Sequence, residues 1–249
     1  MEAWYWGISV TILCLLGGLA RYHFWRPVKP QGHPRVLMYH SVELGKATGM
    51  NMLPSRFAQQ LAFLKRQGYR TCTMSELLAQ PGPCTSPTVA LTFDDGFANN
   101  YDEVFPLLQK YQSKATIYLA PDIEGIRKLT SAQIAEMAAS GIVEFGAHTL
   151  THIALLRTED RLAEAEIVES KRAVEQLTGQ TCSSFSYPYG RYSPNHVSMV
   201  QAAGFTSAVS VRKAIEPLSN LFEIPRIGIH GQTDLLQFHI ALTRGRYRL

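Results

Sequence analysis

Thr88-Val89-Ala90-Leu91-Thr92-Phe93-Asp94-Asp95-Gly96 is the stretch on which the reading of this chain turns. Six residues, β-branched or apolar almost throughout, read as a strand buried on both faces. They run straight into two adjacent carboxylates and a glycine. Neighbouring side chains on a strand point in opposite directions, so Asp94 and Asp95 can serve one site only if the chain turns there. Gly96 permits that turn. No second strand follows at hairpin distance, which argues against a plain Asp-Asp-Gly turn with solvated acids.

Outward from this stretch, short apolar runs alternate with helical patterns. Strands are predicted at Val36 to Tyr39, Ala115 to Leu119, Ile142 to Phe145, Ser184 to Tyr187, Ser207 to Val211 and near Ile224 to Ile229. Helices are predicted through Phe57, Leu61 and Leu64, through Val104 and Leu108, around Ile134 to Ala138, and around Val197 to Ala203. The clearest helix runs from Glu159 to Leu177, with Thr158 as its expected cap and Gly179 as its terminator. Strands alternating with helices predict a parallel sheet, most simply an α/β barrel or a distorted version of one. Polar residues fall at the C-terminal ends of these strands: His40, Asp94 with Asp95, His148, Pro188-Tyr189 and His230. In parallel barrels that rim carries the chemistry.

The chain has 249 residues, 46% hydrophobic and 18% charged, with a formal net charge of +4. This fits one globular domain plus a short appendage. The basic excess lies partly at the two ends (Arg21, Arg26, Lys29; Arg244, Arg246, Arg248) and forms no stripe within the domain, so nucleic acid is not an expected partner. Four cysteines (Cys14, Cys72, Cys84, Cys182) make no zinc-knuckle spacing, and buried thiols are the simpler reading than a Cys72–Cys84 disulfide. Ala3 to Ala20 carries no charge and is flanked by aromatic residues. It predicts an uncleaved transmembrane anchor over residues 1–26, with a cleaved signal peptide as the rival reading. Residues 27–34 read as a linker and residues 35–249 as the domain. The expected location is the membrane, single-pass. The flanking charges favour a cytoplasmic domain, with the opposite face held open. The C-terminal run Leu235 to Leu242 reads as a helix packed on the barrel, with a lipid-touching helix as the alternative.

His148 and His152 form an H-x-x-x-H pair, which on one helical turn would face a single metal ion. Two imidazoles and a carboxylate leave open coordination positions. They suit Zn²⁺ first, with Co²⁺, Ni²⁺ or Fe²⁺ accepted by the same donors. The second Asp could then act as general base toward a metal-activated water, and hydrolysis of an amide follows.

Thr92-Phe93-Asp94-Asp95-Gly96, His148-Thr149-Leu150-Thr151-His152 and Tyr187-Pro188-Tyr189-Gly190, in that order, resemble the polysaccharide deacetylase (NodB-homology, carbohydrate esterase 4) family over nearly all of Arg35 to about Gly228. The opening Leu37-Met38-Tyr39-His40-Ser41-Val42 is most similar to the poly-N-acetylglucosamine deacetylase branch. The resemblance implies a distorted (β/α)₇ barrel. It implies Asp94 as general base, Asp95, His148 and His152 as metal ligands, and the Tyr189 backbone N–H as an oxyanion donor. The general-acid role stays divided between His40 and His230. An arginine usual in the third motif is replaced here by Ser186, with Arg191 the nearest candidate partner for Asp94. The expected activity is metal-dependent removal of N-acetyl groups from amino sugars of a cell-envelope polysaccharide. Deacylation of a lipid-linked amino sugar at the cytoplasmic membrane face, or a catalytically silent carbohydrate-binding domain, are the alternatives.

Overall fold

The protein is described by a computed structural model covering residues 8–12, 16–18, 26–80 and 82–246. Its framework is a parallel sheet. Strands β1 (Arg35–Tyr39), β5 (Thr88–Phe93), β6 (Ala115–Leu119), β7 (Val143–Ala147), β8 (Ser184–Ser186), β9 (Ser207–Val209) and β10 (Ile227–Gly228) lie in the order β10-β1-β5-β6-β7-β8-β9. Strand β4 (Arg70–Cys72) pairs with β5 off this path, and β2 (Ser41–Val42) and β3 (Asn51–Met52) form a separate small ladder. The sheet is curled with helices packed outside it, consistent with the expected distorted (β/α)₇ barrel. Its central strands are buried along their whole length, as six consecutive buried residues in β5 show. That is why they read as unbroken apolar runs rather than alternating ones.

The connecting helices are α1 (Pro54–Arg66), α2 (Met74–Leu78), α3 (Phe105–Tyr111), α4 (Ser131–Ala139), α5 (Asp160–Thr178), α6 (Pro194–Ala202) and α7 (Leu235–Arg244). In α5, Ala163, Ile167, Ser170 and Val174 line the buried face, and Gly179 closes the helix in the left-handed region (φ 66°). The expected cap is displaced by one residue: Glu159 is the N-cap and makes no side-chain cap bond, while the Thr158 hydroxyl turns back to the Ala154 carbonyl at 3.1 Å. Helix α7 buries Phe238, Ile240, Ala241 and Leu242, so it packs on the barrel. Beneath it, the buried Arg35 guanidinium donates to the Leu242 carbonyl (2.9 Å) and to the carbonyls of Pro30 and Gln31 (2.9 and 3.0 Å), tying the segment before β1 to the domain. Cys72, Cys84 and Cys182 are free thiols.

Register decides which strand ends meet. Tyr39 lies opposite Phe93, and Met38 opposite Gly228. The residues following on those strands therefore place His40 level with Asp94 on one side and with His230 on the other. Ala147 pairs with Phe185, which sets His148 level with Ser186. The rim is thus assembled from adjacent strand ends in the parallel order, before any side-chain interaction is counted.

The membrane-spanning helix and single-pass location expected from the N-terminal sequence are corrected by the structure. Among the described residues no helix is long and apolar enough to cross a membrane. Cys14, Arg248 and the aromatic residues Trp4, Tyr5, Trp6, Tyr22, Phe24 and Trp25 lie outside the described residues.

Inside the barrel, Gly146 meets the ring of Tyr118. A Cβ there would stand 2.5 Å from the Tyr118 ring and 2.7 Å from the Ser184 carbonyl. Gly146→Ala is expected to destabilise the protein by about 1–3 kcal/mol through overpacking, read as a lower urea midpoint at unchanged slope. An unchanged midpoint would show that the barrel interior is looser than these distances imply.

Candidate metal centre

Asp95 takes a left-handed backbone conformation (φ 74°), and Gly96 follows it at φ 75°. This is the turn that lets two sequential acids face one site. Asp95 is buried at the rim, and its Oδ1 lies 3.6 Å from His148 Nε2 and 3.4 Å from His152 Nε2. One ligand atom from each of the three residues falls within 4.8 Å of the others.

The two histidines do share a site, but not on a helical turn as the spacing suggested. Residues 148–152 form a loop in which Thr149 (φ 58°) and His152 (φ 61°) are both left-handed. That conformation is uncommon for residues other than glycine and is held by its surroundings. The buried Glu166 on α5 supplies the hold. Its carboxylate accepts from the backbone N–H groups of Leu150 and Thr151, both at 2.9 Å, and from the Thr151 hydroxyl at 2.7 Å. The His148 Nδ1–H donates to the Ser186 carbonyl at 2.7 Å, which leaves Nε2 with its lone pair toward Asp95. His152 packs edge-on against the Tyr189 ring, with centroids 4.7 Å apart.

Nothing among the described residues satisfies the middle of this cluster. Asp95 Oδ1 is buried without a hydrogen-bond donor, a costly state for a carboxylate unless a cation completes it. Burial, then the neighbouring Asp94, push the Asp95 carboxyl up to about 7. Burial depresses His148 to about 3 and lowers His152 as well, so both imidazoles are neutral at pH 7. A neutral, convergent N₂O donor set with an orphaned carboxylate oxygen fits a divalent cation such as zinc.

Asp94 lives in the opposite environment. Its two oxygens are gripped by the guanidinium of Arg226, Nη1 to Oδ1 at 2.7 Å and Nη2 to Oδ2 at 2.8 Å, with both residues buried. Burial alone would raise its pKa, but Arg226 and the nearby histidines outweigh that and hold the carboxyl well below the ordinary range. Arg226 is fixed in turn by the Ser210 carbonyl (3.0 Å), the Thr92 hydroxyl (3.1 Å) and the Ser186 hydroxyl (3.0 Å). The arginine partner is therefore supplied from just before β10. Ser186, standing where the third motif's arginine was expected, donates nothing to Asp94 comparable and instead receives Arg226. Arg191 is exposed, and its candidacy is corrected.

His40 is held neutral by burial, and it feels Asp94, Arg226, His152 and His230 electrostatically. Its backbone carbonyl accepts from Asn100 Nδ2 at 3.0 Å. His230 donates from Nδ1 to the Gly49 carbonyl at 3.1 Å. Tyr189 sits in a left-handed turn (φ 59°), with its side chain 58% exposed above His152.

Comparison with known proteins agrees with this geometry. The family model described as polysaccharide deacetylase matches residues 82–208, and the chain belongs to that family. A Bacillus subtilis (strain 168) protein named "Putative polysaccharide deacetylase YxkH" is 32% identical over 186 residues, covering 73% of this chain and 65% of that one. The poly-beta-1,6-N-acetyl-D-glucosamine N-deacetylase of Staphylococcus aureus (strain MSSA476) is 24% identical over 190 residues, covering 70% of this chain and 66% of its own. The chain thus spans just under two thirds of the length of each of these relatives. Among solved structures, the Streptococcus pyogenes deacetylase PplD in complex with acetate superposes with a TM-score of 0.74 at 25% identity, covering 82% of this chain and 96% of that one. IcaB from Ammonifex degensii superposes with a TM-score of 0.72 at 25% identity, covering 85% and 97%.

The raised Asp95 value has a definite consequence for stability. A carboxyl that holds its proton more tightly when folded contributes stability that is whole below about pH 4 and lost as pH rises through the folded value near 7. Asp95 should therefore impose a falling slope on the stability of cation-free protein between about pH 4 and 7, against the rising slope that the buried His148 contributes. Asp95→Asn should flatten that slope and also abolish the gain produced by added zinc. Thermal unfolding with and without chelator checks both, and identical pH slopes in the two proteins would contradict the placement of Asp95.

Proposed function

We propose that this protein is a metal-dependent N-deacetylase acting on the amino sugars of a cell-envelope polysaccharide. The observation that carries this is the division of labour between adjacent acids. Asp95 is unpaired and aimed at two neutral imidazoles, while Asp94 is ionised and clamped by Arg226. Membership of the polysaccharide deacetylase family and likeness to a poly-N-acetylglucosamine deacetylase support the substrate class.

Asp95, His148 and His152 would hold the cation, with zinc the best match to two imidazoles and one carboxylate. When bound, such an ion lowers the pKa of a coordinated water and polarises an amide carbonyl. Asp94 accepts the proton of the attacking water at its carboxylate. Arg226 keeps that carboxylate ionised and fixes its rotamer, so the base is available at neutral pH. The backbone N–H of Tyr189 donates to the oxygen that gains charge as water adds to the amide carbon. The C–N bond then breaks, releasing acetate and a free amine.

The departing nitrogen needs a proton, and of the two histidines His230 is the better donor. Its Nδ1–H is tied to the Gly49 carbonyl, which fixes the orientation of its ring. His40 is held neutral by burial. It faces Asp94 and Arg226 and keeps the base in place rather than giving up a proton.

Chelation should abolish deacetylation of chito-oligosaccharides, and zinc should restore it. Asp94→Asn should lower kcat by about 10²–10⁴-fold while the protein still binds one equivalent of zinc. Full turnover by metal-free, chelator-treated protein would overturn the proposal. His230→Asn should lower kcat by about 10²–10⁴-fold, and His40→Asn by clearly less. The reverse result would move the acid role to His40.

A further inference from the structure

Asn99 and Asn100 follow closely on the acid turn, where the chain leaves it through a single π turn, Asn100–Val104. Such turns are rare and gather at functional sites. Asn99 stands at the cap of this turn, yet its side chain makes no cap bond. Its amide reaches across to β2 instead. Oδ1 accepts from the Val42 N–H at 3.2 Å, and Nδ2 donates to the Ser41 hydroxyl at 2.8 Å and to the Glu43 carboxylate at 3.3 Å. Asn100 is buried and donates from Nδ2 to the His40 carbonyl at 3.0 Å. Two consecutive amides thus tie residues 40–43 to the exit of the acid turn.

The bonds continue in one direction. The Ser41 hydroxyl accepts from Asn99 and donates its own proton to Asn51 Oδ1 at 3.1 Å. Asn51 lies opposite Ser41 in the small ladder, and it closes the turn that precedes it. The Thr48 N–H donates to the Asn51 carbonyl and the Asn51 N–H to the Thr48 hydroxyl, both at 3.0 Å. That turn is set hard against the residues after β10. The Gly231 N–H donates to the Thr48 carbonyl at 2.9 Å, and a Cβ on Gly231 would stand 1.7 Å from the Asn51 carbonyl oxygen. Gly49, inside the turn, presents the carbonyl that receives His230 Nδ1–H at 3.1 Å. With Nδ1 committed, a proton for the substrate would come from Nε2. Its direction is set by how firmly the Gly49 carbonyl is held.

We propose that Asn99 is a positioning residue for the proton donor: through Ser41 and Asn51 it fixes the turn at 48–51 and, with it, the direction of the His230 ring. The inference rests on the reading of His230 as the acid and names the group that aims it. None of these hydrogen bonds involves Asp94, Asp95, His148 or His152. Loss of the relay should therefore spare the base and the metal centre and impair protonation of the departing nitrogen. An amine must gain a proton as the C–N bond breaks, whereas a nitrophenolate leaves without one. Amide and aryl ester substrates thus separate a misaimed acid from a damaged fold.

Zinc-loaded full-length protein is assayed on chito-oligosaccharides and on 4-nitrophenyl acetate. Asn99→Ala should lower kcat on the amide by about 10- to 100-fold and leave turnover of the ester nearly unchanged. Ser41→Ala deletes one oxygen and leaves Asn99 bonded to Val42. It should reproduce the same split, and it carries the test should Asn99→Ala not fold. The loss should vanish in a His230→Asn background and persist in a His40→Asn background. Ring ¹⁵N resonances give a readout without turnover. Those of His230, assigned by their disappearance in His230→Asn, should report a fixed Nδ1–H in the parent protein and an averaged proton in both variants. Equal losses on amide and ester, or a loss that persists without His230, would overturn the relay. So would His230 resonances that neither variant changes. A parent protein that fails to deacetylate, yet whose His230 resonances change in Asn99→Ala, would uphold the positioning and refute the activity.

Discussion

A buried carboxylate oxygen with no donor, set 3.4 and 3.6 Å from two imidazole nitrogens, is the constraint around which this rim is organised. Such an arrangement is costly in a cation-free protein, because burial and a like-charged neighbour both resist ionisation of Asp95. The surrounding structure is spent on holding it. Glu166 fixes the loop that carries the histidines, the Ser186 carbonyl fixes the tautomer of His148, and a left-handed residue turns Asp95 inward. Strain and unpaired polarity concentrated at one point are what a preorganised site looks like.

The second constraint is the pairing of Asp94 with Arg226. Two acids adjacent in sequence would ordinarily share one environment. Here one guanidinium takes both oxygens of Asp94 and leaves Asp95 to the histidines. Their titrations are driven in opposite directions, Asp94 downward and Asp95 upward. That separation leaves two chemically identical side chains in different states, one ionised and paired, the other unpaired beside two imidazoles. A buried pair of this kind adds little net stability when intact but is expensive to break from one side.

Much of this was legible in the sequence, for identifiable reasons. Fully buried parallel strands announce themselves as apolar runs, and their C-terminal ends were marked by His40, Asp94, Asp95, His148 and His230. The H-x-x-x-H spacing pointed to a shared site for a geometric reason that proved wrong: the pair meets through a loop with two left-handed residues, which spacing alone does not reveal. Arg226 went unnoticed because it lies 132 residues from its partner and carries no local motif. Only the register of β10 against β1, and of β1 against β5, brings it to Asp94. Strand β4 and helix α2 escaped because each is too short, at three and five residues, to show a period. The apolar N-terminal run was read as a membrane span from composition, whereas no helix among the described residues has the length and apolarity to cross a bilayer.

The rim therefore joins a triad suited to a cation and a carboxylate clamped by arginine on one face of a curled parallel sheet. The most direct test of the triad is anomalous X-ray scattering at the zinc edge from crystals of zinc-loaded protein. A single strong peak is predicted between the three residues, about 2.0–2.2 Å from Asp95 Oδ1 and from the Nε2 atoms of His148 and His152. Zinc bound elsewhere, with no peak among these three side chains, would contradict it.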